Sequence, residues 1–387
     1  MHAGVAADCT FGGMRVLVAP DKFRGTLTAR QAAEAIETGW RRSRPADVLD
    51  VVPMADGGEG TLEALVDAQG GRTVTATVTG PLGDPVDAAF GLVETPDGLT
   101  GVVESARASG LALLGEGRRD PLRTTTRGTG ELIVAALEAG ARRVVVCLGG
   151  SATNDGGVGM AGALGIRFLD MQGRELAGGG AALLDLARID ERGLHPAVAT
   201  AAFLGATDVD NPLCGPSGAS HVYAPQKGAS PDDVFLLDRA LSHLAAIVHH
   251  DLGIALKDEP GAGAAGGLGF GLLAFCGARL RRGVDVVMEA VDLGGRMEGA
   301  DLVITGEGSF DAQSLHGKVP AGVIGLASLL SVPVAVLCGR AEVEPENVTV
   351  RSLVARVGEE AALGATRRSL ELLAGELATD LPAGVAR

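Results

Sequence analysis

Basic residues are scarce in this 387-residue sequence: 33 Lys and Arg face 48 Asp and Glu, a formal net charge of −15. So acidic a chain is a poor match for nucleic acid or for acidic membrane surfaces, which recruit positive patches, and neither is expected as a partner. Cysteines are few. Cys9, Cys147, Cys214, Cys276 and Cys338 lack metal-ligand spacing and at least three sit in apolar company, a pattern of buried free thiols in a reducing, cytoplasmic compartment. The histidines form no HExxH or other metal spacing; His249 and His250 read as solvated residues at a helix end, and His316 as a side chain able to touch a ligand. Residues 1–13 have neither a basic n-region nor an apolar core, so they read as a loose extension ahead of Met14 and not as a secretory signal. One stretch, 260–278, is long and uncharged like a membrane span, but its front half is Gly and Ala and no partner span exists. It reads as a buried soluble segment. No GxxxxGK[ST] P-loop, GxSxG elbow, or HRD or DFG kinase motif occurs. GAGAAG at 261–266 satisfies GxGxxG, but the ALKDEP before it is a poor strand, which favours a tight packing or phosphate-facing turn over a dinucleotide site.

What is present centres on 144–160, VVVCLGGSATNDGGVGM. A β-branched apolar run empties into a loop of two Gly-Gly pairs with Ser, Thr, Asn and Asp. Glycines let backbone N–H groups approach an anion, whereas Asp155 suits a cation or a hydroxyl proton. The plainer alternative is a Gly-rich turn with an Asx cap. The same strand, polar loop, helix grammar recurs at 15–19, followed by PDKFRG, and at 48–52, followed by ADGGEG. Thr28 and Gln31 fit a capping box ahead of a helix with Ala32, Ile36 and Trp40 on one stripe. After Gly70 the pattern shifts to a period-two hairpin, RTVTATVTG-PLGDP-VDAAFGLV. A helix over 128–139, a strand over 201–205 leading into DVDNPL, and a helix capped by Ser230, Pro231 and Asp233 follow. A helix over 284–291, a strand over 301–305 ending in a GEGSFD loop, a helix over 319–330, a strand over 332–337 and a helix over 368–377 complete it.

The two ends share a grammar that the middle does not follow. The expected fold is α/β with two domains: a Rossmann-like parallel-sheet domain from 14–70 and 292–387, and a mixed α/β domain, 71–291, inserted into it. Asp21, Arg24, Asp56, Glu59, Asn154, Asp155, Asp208, Asn211, Lys227, Glu307 and Asp311 are the polar candidates. Arg24, Arg123, Arg127 and Lys227 are the cations suited to a phosphate or a carboxylate. Carboxylates, a few cations and flexible backbone together match Mg-nucleotide and phosphoryl chemistry.

PDKFRGTLTA, VPMADGGEGT, TTRGTGELI, LGGSATNDGG, DVDNP, PQKGA, GAGAAGGLGFGLLAF and ADLVITGEGSFD, in this order and nearly throughout from Met14, resemble the bacterial glycerate kinase family. The resemblance implies ATP- and Mg²⁺-dependent phosphorylation of D-glycerate, with the 2-hydroxyl the expected acceptor. The 3-hydroxyl, or another small hydroxy acid, is the alternative. It also implies a site in the cleft between domains, small-molecule partners only, and a monomer or homodimer. On this reading Asp208 is the first candidate for orienting or deprotonating the hydroxyl, with Asp155 its rival. Asp56, Glu59, Glu307 and Asp311 are candidates for Mg²⁺. Asp21, Arg24, Arg123, Arg127, Asn211 and Lys227 are expected at the substrate. Gly149, Gly150, Ser151, Thr153, Asn154, Gly156 and Gly157, with Gly266 and Gly267, are expected at the nucleotide. The chain departs from the family pattern at Lys22, where Ser is common, at Arg24, where Lys is usual, and at Phe310.

Overall fold

A computed structural model describes residues 13–315 and 317–381. Cys9, His316 and all but the last residue of the N-terminal extension lie outside these residues.

The chain opens with β1 (Arg15–Val18), α1 (Ala29–Ser43), β2 (Val48–Val51) and α2 (Thr61–Ala68). A meander of β3 (Arg72–Thr79), β4 (Pro85–Thr95) and β5 (Gly98–Glu104) follows, then α3 (Ser105–Ser109), α4 (Arg127–Glu138) and β6 (Arg143–Cys147). Next come α5 (Val158–Ala163), an antiparallel pair β7 (Arg167–Leu169) and β8 (Arg188–Asp190), and β9 (Ala202–Ala206). Helices α6 (Ala219–Tyr223), α7 (Pro231–Leu252) and α8 (Ala264–Cys276) precede β10 (Arg279–Arg281), α9 (Gly283–Ala290) and α10 (Leu293–Met297). The chain ends through β11 (Leu302–Phe310), α11 (Val319–Leu330), β12 (Val334–Ala341), β13 (Val348–Ser352), α12 (Leu353–Val357), α13 (Glu359–Gly364) and α14 (Thr366–Asp380).

Two compact units result, one from the chain up to Met54 and from Asp292 onward, the other from Ala55–Val291. The first holds a five-stranded, all-parallel sheet in the order β13-β12-β11-β1-β2. Its central strands β1, β11 and β12 carry buried apolar runs, as strands covered by βαβ crossover helices require. Thr28 and Gln31 form the expected capping box, so α1 starts at Ala29 and turns Ala32, Ile36 and Trp40 into the core. Each such large side chain contributes roughly 1.5–3 kcal/mol on burial. Trp40 Nε1 donates to Asp47 Oδ2 at 3.0 Å, so the indole is buried with its polar atom satisfied.

The second unit holds a six-stranded mixed sheet, β10-β9-β6-β5-β4-β3. Strands β3, β4 and β5 are antiparallel, whereas β5, β6, β9 and β10 run parallel. The uncharged 260–278 stretch becomes α8 and the turns around it, with Leu268, Phe270 and Leu272 buried. Among the described residues no helix is long and apolar enough to cross a membrane. Four described cysteines carry free thiols, with Cys147 and Cys338 buried.

Two sequence expectations shift. The break between units falls after Met54 and not at Gly70, because α2 packs on β4, β5 and α9 of the second unit. Val66 closes on Gly91 so tightly that a Cβ there would lie 2.6 Å from Val66 Cγ2. The GEGSF segment is strand and not loop. It pairs with β12 as far as Phe310↔Ala341, its glycines allowing the close approach that a side chain would block.

Candidate active site

In the second unit the four parallel strands β5, β6, β9 and β10 end on one edge, at Glu104, Cys147, Ala206 and Arg281. Open α/β sheets bind ligands beyond such carboxyl ends. Asp208 leaves β9 there and accepts from Gly283 N at 3.0 Å and from Val284 N, capping α9, whose own N-cap residue Arg282 makes no side-chain cap bond. Burial, reinforced by the neighbouring Asp56 charge, pushes the Asp208 carboxyl up to about 7; the two amides and Arg282 only partly offset this. Asp56 accepts from Gly58 N at 3.2 Å in the turn ahead of α2. Backbone meets backbone around it. A Cβ on Gly57, whose φ is +84°, would lie 2.8 Å from Gly283 Cα, and one on Gly149 2.7 Å from Gly58 Cα. The structure therefore gathers Asp56, Gly58, Gly149 and Asp208 at the tips of β6 and β9.

The rest of the GGSATNDGG loop behaves differently. Gly150 is exposed and Gly149 half-buried, but Ser151, Thr153, Asn154, Asp155, Gly156 and Gly157 are buried. Asp155 accepts from Thr126 N at 2.8 Å, Thr126 Oγ1 at 3.0 Å, Gly157 N at 3.1 Å and Gly159 N at 3.2 Å, joining the N-termini of α4 and α5. Desolvation raises its pKa in spite of these donors. Gly156 N donates to Gly266 O at 3.1 Å, and a Cβ on Gly267 would lie 2.8 Å from Gly156 Cα. Ala265, Gly266 and Gly267 all have positive φ, so the α8 entry coils against the loop before regular helix begins. Thr153, Asn154, Gly156, Gly157, Gly266 and Gly267, expected at the nucleotide, lie in a packed seam. Glycine serves close packing as readily as ligand approach, and sequence does not separate the two.

Lys227 is also in this seam, 3% exposed, its Nζ donating to Ser151 Oγ at 3.0 Å and Thr153 O at 2.7 Å. Burial pulls its pKa down to about 7, against the pull of Asp155. Asn211 ties its own loop, its Oδ1 accepting from Tyr223 Oη at 2.6 Å and its Nδ2 donating to Ser217 O at 2.8 Å. Arg127 is exposed and pairs with Glu131 at 3.0 Å, an i,i+4 surface pair; Arg123 is exposed.

In the first unit the strand order reverses between β1 and β11, the topological switch point at which such sheets bind ligands. Asp21 follows β1 there, its N–H donating to Gly306 O at 2.8 Å and its Oδ1 accepting from Lys22 N at 2.7 Å. Glu307 stands one residue further along β11, 7% exposed, with Lys318 Nζ 3.9 Å from its Oε2. Arg24 is exposed beside Gly308, where an added Cβ would lie 3.2 Å from Arg24 N. Desolvation of Asp311 opposes its ionisation, but the Ser314 and Gln313 N–H groups and Lys318 outweigh it and hold the carboxyl below the usual range.

Comparison with known proteins decides what these strand ends belong to. A family model described as "Glycerate kinase family" matches residues 16–379. The chain belongs to the glycerate kinase family. It is 52% identical over 326 residues to a glycerate kinase of Bacillus subtilis (strain 168), covering 84% of this chain and 85% of that protein. It is 48% identical to the glycerate 2-kinase of Escherichia coli (strain K12), with the same coverage. The crystal structure of a provisionally assigned glycerate kinase 2 from Salmonella typhimurium LT2 superposes with a TM-score of 0.84 at 44% identity, covering 95% of this chain and 97% of that one.

For a glycerate kinase, the expected Mg²⁺ candidates fall into two sets, Asp56 and Glu59 in one unit and Glu307 and Asp311 in the other. Among the described residues no three His, Cys, Asp or Glu gather as a metal cage. Magnesium in nucleotide sites commonly takes one or two carboxylates and completes its shell with phosphate and water. Asp56 stands near enough to Asp208 for its charge to disfavour ionisation of that second carboxyl. Sequence reasoning missed Glu104, Arg107 and Arg282, which flank this pair from β5, α3 and the start of α9. The available signal for Glu104 is its place at the end of the GVVE run, but β5 itself is half hidden in a Gly- and Thr-rich stretch.

Proposed function

We propose that this glycerate kinase transfers the γ-phosphoryl group of ATP to the 2-hydroxyl of D-glycerate, giving 2-phosphoglycerate and ADP. The observation that carries the mechanism is Asp208: a carboxyl at a strand tip, fixed by two backbone amides and tuned to about 7. A general base works best with a pKa near the working pH. Asp208 accepts the proton of the attacking hydroxyl as the new O–P bond forms and the bond to the ADP oxygen breaks. Phosphoryl transfer needs positioning and charge neutralisation more than covalent catalysis. Asp56 would hold Mg²⁺, which would supply that neutralisation when bound, with Glu59 of the same unit the candidate for a second contact. Gly58, Gly149 and Gly150 are the backbone we assign to phosphate. Arg123, exposed and in the same unit as Asp208, is the candidate for the substrate carboxylate.

The test is a coupled ADP-release assay with D-glycerate, followed by phosphorus-coupled NMR of the product to read the phosphorylated carbon. Asp208→Asn should lower kcat by at least ~100-fold while leaving the KM for ATP unchanged. Wild-type kcat/KM should climb with pH through about 7 and then level, because the base must be ionised. Near-normal turnover by D208N, or a flat profile across about pH 6–8, removes Asp208 from this role.

A further inference from the structure

The turn that carries Asp56 runs directly into α2, and α2 has no cap of its own. Its N-cap is Gly60, in left-handed geometry at φ +97° with no side chain to offer. The missing acceptor comes from a different strand. Glu104, the last residue of β5, accepts from Gly60 N at 3.0 Å and Leu62 N at 2.9 Å through one oxygen. Its other oxygen accepts from Arg107 Nε at 2.7 Å, and the same guanidinium reaches Glu63 on α2 through Nη2. Glu104 is 2% exposed, so this is a buried carboxylate satisfied on both sides. The neighbouring Ser105 Oγ lies buried without a partner, so its hydroxyl does not substitute for the Glu104 contacts.

We propose that Glu104 and Arg107 are positioning residues for phosphoryl transfer: together they lock the 56–60 turn so that Asp56 and Gly58 stay seated against Asp208 and Gly149. The inference rests on the functional reading above, but its physical basis is separate. A carboxylate at a helix N-terminus satisfies two otherwise orphaned donors and complements the helix dipole. The guanidinium offsets the cost of burying that carboxylate and staples α3 to α2. A displacement of about 1 Å in a reacting group can cost up to about 100-fold in rate, so the turn need not unfold for turnover to fall.

Glu104→Gln tests this, since it keeps an acceptor for the amides but presents an amide N–H₂ to Arg107. We expect kcat, normalised to active-site concentration, to drop by roughly 10- to 100-fold. The KM values for ATP and D-glycerate should stay within about threefold of wild type, because an interaction that matters only in the transition state lowers kcat and kcat/KM together. Amide hydrogen exchange at Gly60 and Leu62 should quicken while the β6 and β9 amides remain protected. Arg107→Met should reproduce the loss, and Arg107→Lys, which retains the charge, should recover most of it. A lower melting temperature with unchanged normalised kcat, or slow exchange at Gly60 and Leu62 in E104Q, overturns the proposal. Wild type run alongside separates the two readings. Failure of wild type to turn over D-glycerate refutes the functional assignment, whereas an active wild type with a fully active E104Q refutes the positioning role alone.

Discussion

Asp155 and Asp208 both follow strands and both sit among polar loop residues, yet their surroundings give them opposite work. Asp155 is closed in by backbone and hydroxyl donors from two helices, so its carboxylate holds α4 and α5 together. Asp155→Asn should therefore cost about 2–4 kcal/mol of stability in urea titration, since a buried amide would turn an N–H₂ toward existing donors. Burial raises the pKa of both carboxyls, but Asp208 accepts from two amides where Asp155 accepts from four donors. The Asp208 carboxyl stays protonated up to about 7 when folded but titrates at about 3.9 in the unfolded chain, so the folded state binds the extra proton and stability declines as pH rises between those values. Asp208→Asn escapes this penalty. Its urea midpoint should exceed that of wild type at about pH 8, with the difference vanishing below about pH 4. Sequence named Asp208 first and Asp155 as its rival, but not what surrounds them, because those partners include Thr126 and Gly283, which are 29 and 75 positions away.

Among elements, helices with local start signals were the most legible. Thr28 with Gln31, and Ser230 with Asp233, each form the capping box that their spacing implied. Helices capped from elsewhere were not: α2 takes its cap from Glu104 and α9 from Asp208, and no local pattern announces either. Glycine-rich loops were legible as loops but not as to what they face. The seam between 153–157 and α8 gives this a test. Gly267 has φ +88°, and a Cβ there would lie 2.8 Å from both Gly156 Cα and Leu213 Cδ1. Gly267→Ala should destabilise the protein by more than about 1 kcal/mol, as read by the shift in urea midpoint, with the KM for ATP unchanged in the fraction that folds. A large rise in that KM with stability intact would return the glycine to the nucleotide.

At the scale of the molecule, the shared grammar of the two chain ends was legible because β1, β2, β11 and β12 each carry a short apolar run and a polar tip. The position of the break was not, since α2 looks like the end of one βαβ unit and packs as the start of another. Each unit has its own hydrophobic core, one around Ile36 and Trp40, the other around Leu132 and Leu244, and the two share no residue. Calorimetry should accordingly resolve more than one transition. Ile36→Ala should lower one of them and Leu244→Ala the other, each by about 2–5 kcal/mol; a single transition shifted equally by both would mean that the cores melt as one.

The borrowed cap on α2 also limits what can be transplanted. Moving ADGGEG into another scaffold would carry the glycines and Asp56 but leave behind the glutamate that keeps them in posture. Anyone rebuilding this chemistry elsewhere would have to graft a neighbouring strand end together with the turn.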